Sequence, residues 1–140
     1  MGTCIVEMLR IPNTLREEVI THCRSKYPKE ACGILAGRNG IVEQIYPMTN
    51  AEDSPIGYSM DPKEQLLVEK QMRSRGHQMV GIYHSHTASP AYPSSVDVSL
   101  AISPDISYVL VSFKDSARPE VKSYRIRDGA VVAEDLHVQG

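Results

Sequence analysis

A short apolar run that ends in two histidines constrains the fold of this chain more than any other feature. In residues 79–84, apolar side chains fall on both faces of an extended strand; they belong to Val80, Ile82 and Tyr83. A strand that is apolar on both faces needs cover on both sides, which predicts a central place in a sheet. The run continues into His84-Ser85-His86, and residues i and i+2 of a strand project to the same side. The end of one buried strand therefore directs two imidazoles at one point.

Asp97 is the predicted third member of this group. It lies eleven residues beyond His86, far enough for a loop to bring its carboxylate back to the imidazoles. Two histidines and a carboxylate suit zinc, and three protein ligands leave the fourth position open to water, as in catalytic sites. The pattern predicts one Zn²⁺ per chain, held by His84, His86 and Asp97.

The same stretch has structural interpretations. Histidines in strands often serve only as hydrogen-bond partners. Residues 94–97 also fit a helix capping box, with Ser94 as the N-cap and Asp97 three residues on. The interpretations are compatible, because the N–H groups and partial positive charge of a helix N-terminus hold an ionised carboxylate. The short helix that begins here is predicted to turn Val96 and Leu100 inward.

Glu30 precedes an apolar segment, and a glutamate in such a place is usually a solvated surface charge. Together, EACGILAG (30–37), His84-Ser85-His86, seven residues, Ser94, two residues and Asp97 resemble the signature of the JAMM (MPN-plus) family of zinc metallopeptidases. The resemblance implies a zinc that polarises the scissile carbonyl and activates water. It also implies Glu30 as the general base and Ser94 as a donor to the developing oxyanion.

Four further segments resemble the small bacterial members of that family: PMTNAE (47–52), YHSHTA (83–88), AYPS (91–94) and SYRI (123–126). This resemblance implies a partner protein, a ubiquitin-like sulfur carrier that ends in Gly-Gly-Cys. The implied reaction removes the terminal cysteine, as a step in cysteine biosynthesis. Two alternatives stay open: an isopeptidase that removes another ubiquitin-like modifier, and a non-catalytic scaffold of the MPN type.

Composition excludes several classes of function. The formal net charge of −2 gives no basic footprint for nucleic acid. No apolar run approaches the ~20 residues of a membrane span, and the N-terminus lacks the pattern of a signal peptide. The three cysteines are odd in number and form no Cys-x-x-Cys pair, which is typical of a reducing cytoplasm. A length of 140 residues predicts one domain, residues 1–140.

The order of elements predicts an α/β domain with a mixed β-sheet flanked by helices, and the resemblance implies the JAMM/MPN fold, related to the cytidine-deaminase-like fold. Leu15, Val19, Cys23 and Tyr27 recur at helical spacing. Thr14 and Glu17 are candidate caps for that helix, and Pro28 ends it. The other predicted elements are a strand near residues 4–9, a hairpin of strands 31–37 and 41–46, a helix over 62–75 closed by Gly76, and strands over 106–113, 121–126 and 130–132.

The last predictions concern the binding site for the substrate tail and two alternative catalytic functions. An extended tail is most simply bound as an added strand, and the loop 49–55 with Tyr58 is the candidate channel; Thr49 and Asn50 belong to that loop. An ordinary polar turn is the alternative. Cys32 is a rival nucleophile, although a small buried thiol is the better interpretation. A zinc nucleobase deaminase is excluded, because its His-x-Glu and Pro-Cys-x-x-Cys motifs do not occur.

Overall fold

The computed structural model describes residues 8–52 and 58–140. The predicted first strand over residues 4–9 therefore falls partly outside the described residues, as do residues 53–55 of the candidate channel. Seven strands and three helices lie within the described ranges. In chain order they are β1 (Met8–Pro12), α1 (Asn13–Lys26), β2 (Cys32–Arg38), β3 (Ile41–Met48), α2 (Pro62–Ser74), β4 (Gln78–His86), α3 (Ser95–Ser99), β5 (Ser107–Ser112), β6 (Glu120–Arg127) and β7 (Ala130–Gln139).

The strands form one mixed sheet in the order β1-β3-β2-β4-β5-β6-β7, which confirms the predicted α/β class. β4 is antiparallel to β2 and parallel to β5, so it lies in the middle of the sheet as its sequence predicts. The sheet also closes on itself, because β1 pairs in parallel with β7 from Met8↔Asp135 to Pro12↔Gln139. Closure requires a ten-residue β7. The predicted strand over 130–132 was too short, since charged side chains interrupt the apolar pattern of this exposed strand.

Local signals set the helix boundaries. α2 begins where the Asp61 carboxylate accepts a hydrogen bond from the Lys63 N–H (2.9 Å) and Pro62 occupies the first turn. It ends before Gly76, whose φ of +70° favours glycine. α1 starts directly after β1 with Pro12 as N-cap and no side-chain cap, so the predicted capping by Thr14 and Glu17 is wrong. None of the helices in the described ranges is both long and apolar enough to cross a membrane.

Two apolar clusters lie on opposite faces of the central strands. On one face α1 contributes Val19, Ile20 and Cys23, which pack with Leu35, Tyr83 and the apolar side chains of β1 and β5. On the other face, Met72 of α2 packs with Cys32, Ile34 and Ala36 of β2 and with the end of β3. β2 and β4 therefore stand between the two helices, which explains why residues 81–86 are all buried.

Gly33 allows β2 and β4 to approach closely beside the histidines. It pairs with Tyr83, whose ring is fully buried and whose hydroxyl hydrogen-bonds Nδ1 of His22 (2.7 Å). A Cβ at position 33 would lie 2.1 Å from Cε2 of that ring. The ring fills the space that a side chain at position 33 would occupy.

Gly33→Ala should lower the free energy of unfolding by about 1–3 kcal/mol, the usual cost of overpacking a core. Denaturant titration measures this change. The cost should be smaller in a Tyr83→Leu background, because leucine lacks the ring atoms that the new Cβ meets. An equal cost in both backgrounds would show that the tyrosine ring is not the obstacle.

Candidate metal centre and buried glutamate

Three side chains converge at the C-terminal end of β4. Nε2 of His84 lies 3.3 Å from Nε2 of His86, and the Asp97 carboxylate approaches both, with Oδ1 at 3.1 Å from His84 and Oδ2 at 2.9 Å from His86. Alternation along β4 puts both imidazoles on one face, while Asp97 comes from α3. His84, His86 and Asp97 form a group that could hold a metal ion.

The capping box holds Asp97 in this position. Its Oδ2 accepts a hydrogen bond from the Ser94 N–H (2.8 Å), and its own N–H donates to Ser94 Oγ (3.1 Å). The predicted capping box is confirmed, and the residue that closes it also faces the two histidines. The predicted inward face of α3 is wrong: Val96 and Leu100 are 55% and 49% exposed. Within residues 8–52 and 58–140, no neighbour covers this face of the five-residue helix.

The charges of the three groups depend on each other. Burial alone would raise the pKa of Asp97, but hydrogen bonds from His84 and His86 outweigh burial and lower it well below its usual range. Burial lowers the pKa of His84 in spite of Asp97. For His86 burial acts in the same direction, yet hydrogen bonds with Asp97 and the Pro90 carbonyl prevail and raise the pKa. Asp97 is therefore an anion that faces two imidazoles.

The contacts of the imidazoles suit a cation between them. Nδ1 of His86 lies 2.9 Å from the Pro90 carbonyl oxygen, to which it donates, so in the neutral imidazole Nε2 is the nitrogen that carries the lone pair. The His84 ring stacks on Tyr58, with centroids 4.4 Å apart. Nδ1 of His84 has no hydrogen-bond partner within residues 8–52 and 58–140. Two imidazole nitrogens and one carboxylate are a borderline donor set that fits zinc.

Glu30 is buried next to this group. Only 7% of the residue is exposed, and burial raises the pKa of its carboxyl group to about 7, with His86 opposing the rise and Asp97 and Glu52 adding to it. Its carbonyl oxygen accepts a hydrogen bond from the side-chain amide of Asn50 (2.9 Å). A carboxyl group with a pKa near neutrality can both accept and donate a proton.

Ser85 fixes the backbone beside Glu30. Its Oγ accepts a hydrogen bond from the Ala31 N–H (2.9 Å), and its N–H donates to the Ala31 carbonyl (3.0 Å). Alternation along β4 turns this hydroxyl away from the histidines, which by itself suggests only packing; the hydrogen bond to Ala31 cannot be found from the strand's own sequence. The register of β2 against β4, which pairs Cys32 with His84, would have revealed it.

Cys32 lies in the core and not in the site. Its side chain is fully buried with Ile34 and Met48, and its Sγ is 3.9 Å from the Thr49 carbonyl oxygen. Burial raises the pKa of the thiol to about 12, and Glu64 and Glu30 add to the rise. The thiol therefore stays protonated, which excludes an activated nucleophile.

The candidate channel residues lie around Glu30 and His84. Thr49 is hydrogen-bonded to Glu64. The Thr49 N–H (2.7 Å) and the Thr49 hydroxyl (2.9 Å) both donate to the Glu64 carboxylate. Asn50 Oδ1 accepts from the Glu52 and Ser59 N–H groups, both at 3.0 Å. Tyr58 lines a cleft of about 210 Å³ together with Leu100 and Ile102. The structure thus places Asn50 beside the glutamate and Tyr58 beside the candidate metal ligands.

The fold and the site together define a class: an α/β domain in which a group that could hold a metal ion at a strand end lies next to a buried glutamate. The chain belongs to the family of prokaryotic homologues of the JAB domain, whose family model matches residues 12–127.

Named relatives and solved structures agree with this family. The chain is 49% identical to the CysO-cysteine peptidase of Mycobacterium tuberculosis H37Rv over 98% of this chain and 94% of that protein. It is 38% identical to a probable TtuB-protein conjugate cleaving protease of Thermus thermophilus over 67% of this chain and 64% of that protein. The solution structure of a Desulfitobacterium hafniense protein is 40% identical, with a TM-score of 0.86 over 94% and 93% of the chains. A JAB1/MPN domain protein from Archaeoglobus fulgidus shares the fold at 18% identity and a TM-score of 0.61 over 93% and 98%.

Ser85→Ala should lower the free energy of unfolding by about 1–3 kcal/mol, because the Ala31 N–H would remain buried without an acceptor. Ser107→Ala is the matched control. Ser107 is an equally buried strand serine, but its hydroxyl has no hydrogen-bond partner among the described residues. Denaturant titration of both variants should find the control close to the unchanged protein. Similar losses in both would refute the hydrogen-bonding role of Ser85.

Proposed function

We propose that this protein is a zinc-dependent peptidase. The observation that carries the proposal is the convergence of two Nε2 atoms and the Asp97 carboxylate beside the buried Glu30. Its proposed reaction hydrolyses the amide bond after the C-terminal Gly-Gly of a ubiquitin-like sulfur-carrier protein and releases cysteine, as a step of cysteine biosynthesis in a reducing cytoplasm. Residues 1–140 are proposed to act as one catalytic domain.

His84, His86 and Asp97 would hold one zinc ion. Zinc, when bound, supplies Lewis-acid polarisation of a carbonyl and an acidified water. The Pro90 carbonyl fixes which nitrogen of His86 faces the ion. The capping box keeps Asp97 ionised and in place. These contacts orient the ligands before the ion binds.

Glu30 would move the protons. As general base it takes a proton from the attacking water, and as general acid it gives this proton to the leaving amine. The Ser94 hydroxyl would donate a hydrogen bond to the oxyanion that develops on the carbonyl. Ser94 Oγ already accepts from the Asp97 N–H, so its own proton remains to be donated. Removal of one such donor typically costs ~3–4 kcal/mol of transition-state stabilisation.

The proposed partner is the sulfur carrier, because the Mycobacterium tuberculosis relative, which this chain matches over 94% of its length, is named CysO-cysteine peptidase. Thr49, Asn50 and Tyr58 are proposed to bind the extended Gly-Gly tail. The backbone at Asn50 already forms an isolated antiparallel bridge with Met60, and an extended tail gains affinity from backbone hydrogen bonds of this kind.

A second candidate is cleavage of a protein conjugate of another ubiquitin-like modifier. The Thermus relative, whose name describes such a reaction, favours it. A scaffold without catalysis has less support, because the ligand group and the buried glutamate are both intact in this chain. Parallel assays on a carrier–cysteine conjugate and on a lysine-linked protein conjugate distinguish these functions.

Asp97→Asn should severely weaken zinc binding while leaving the helix cap in place, because the amide oxygen can still accept from the Ser94 N–H. We expect the zinc affinity to fall by more than the ~10–100-fold that is typical when a residue supporting a metal ligand is replaced. His84→Ala and His86→Ala should behave alike. Metal analysis by mass spectrometry measures the change, with Asp105→Ala as a control on an exposed aspartate. Near-full zinc in Asp97→Asn would remove Asp97 from the ligand set.

Glu30→Gln should keep zinc and the fold but lose turnover by about 10²–10⁴-fold, because the amide cannot transfer a proton. Zinc content, affinity for the carrier and single-turnover cleavage should be measured together. The variant should retain the carrier with its C-terminal cysteine uncleaved. Unchanged cleavage rates would contradict the proposed role of Glu30.

A further inference from the structure

A second cleft, of about 370 Å³, opens on the side of Glu30 that faces the end of α1. Its lining includes Glu30 and Asn50 together with His22, Ser25, Lys26 and Lys29. The two lysines stand at the two ends of one turn, because the Lys29 N–H donates to the Lys26 carbonyl (2.8 Å). Both lysines are exposed and line the cleft.

The charge of this cleft differs from that of the cleft beside Tyr58. Lys26 and Lys29 contribute two ammonium groups to the same lining as Glu30. The described lining of the Tyr58 cleft contains Glu52 and apolar side chains such as Leu100 and Ile102, and none of those lining residues is Lys or Arg. A neutral Gly-Gly tail suits the Tyr58 side, whereas an anion suits the lysine side.

The leaving group of the proposed reaction is such an anion. A C-terminal cysteine has a free α-carboxylate, separated from its amine nitrogen by two covalent bonds. The amine must come within hydrogen-bond reach of Glu30, about 2.6–3.2 Å, to receive its proton. The α-carboxylate is therefore confined to the immediate surroundings of Glu30. A lysine-linked protein, in contrast, leaves without a carboxylate next to the amine.

We propose that Lys26 and Lys29 form a subsite for the α-carboxylate of the leaving amino acid, and that this subsite selects a single C-terminal residue over a lysine-linked protein. The inference rests on the proposed release of cysteine. The lysines act on specificity, and proton transfer stays with Glu30. Ser25 and the Asn50 side chain border the same space.

Two substrates that differ only in this charge test the inference. One is the CysO–cysteine conjugate with its free C-terminal acid, and the other is the same conjugate with a C-terminal carboxamide. The unchanged protein should prefer the acid in kcat/KM by roughly 1.4-fold to 5-fold for each lysine that pairs with the carboxylate, the range for exposed ion pairs. The preference should fall as salt rises, because exposed charges are screened.

The Lys26→Met/Lys29→Met variant should cleave acid and amide at nearly equal rates. Zinc content and a circular dichroism spectrum report on its folding. Lys70→Met, on the exposed face of α2, and Lys114→Met, in a separate cleft beside Pro90, are controls that should keep the preference for the acid.

Three results would overturn the subsite while leaving the proposed peptidase intact: no preference in the unchanged protein, an undiminished preference in the double variant, or loss of the preference in Lys114→Met. Cleavage of neither conjugate by the zinc-loaded protein would instead refute the proposed function, and the subsite with it.

Discussion

Two hydrogen bonds between Ala31 and Ser85 determine the geometry of the whole site. They join the residue after Glu30 to the residue between the two histidines. Side chains alternate between the two faces of β4. One face therefore carries the two imidazoles, and on the other face the Ser85 hydroxyl holds the backbone next to Glu30. The backbone next to Glu30 is therefore held by a buried strand that also carries His84 and His86, and such support keeps a site rigid.

The two carboxyl groups of the site have opposite environments. Asp97 receives hydrogen bonds from two imidazoles and from a helix N-terminus, and these keep it ionised. Glu30 is buried, and burial raises its pKa to about 7. Divergent pKa values in one site typically mark different chemical roles. One carboxylate suits a cation, and the other suits the exchange of protons.

Local sequence patterns predict the features that depend on near neighbours. The His84-Ser85-His86 alternation, the capping box of Ser94 and the helix start at Pro62 each involve residues within one strand or turn. The failures involve distant partners. The hydrogen bond of Ser85 depends on the register of two strands, the exposure of Val96 depends on what covers α3, and the length of β7 depends on β1. A pattern read along the chain contains no information about these partners.

Closure of the sheet by β1 and β7 has a consequence for association with other chains. Free strand edges recruit extended segments of unrelated proteins, which leads to aggregation. β1 and β7 satisfy each other's backbone groups, so these strands offer no such template along their paired residues. A protein whose proposed substrate is a flexible tail must distinguish that tail from every other unfolded segment. By closing its sheet, the fold limits the strand edges to which an extended peptide can add. Fewer unrelated peptides therefore compete with the substrate tail for the site.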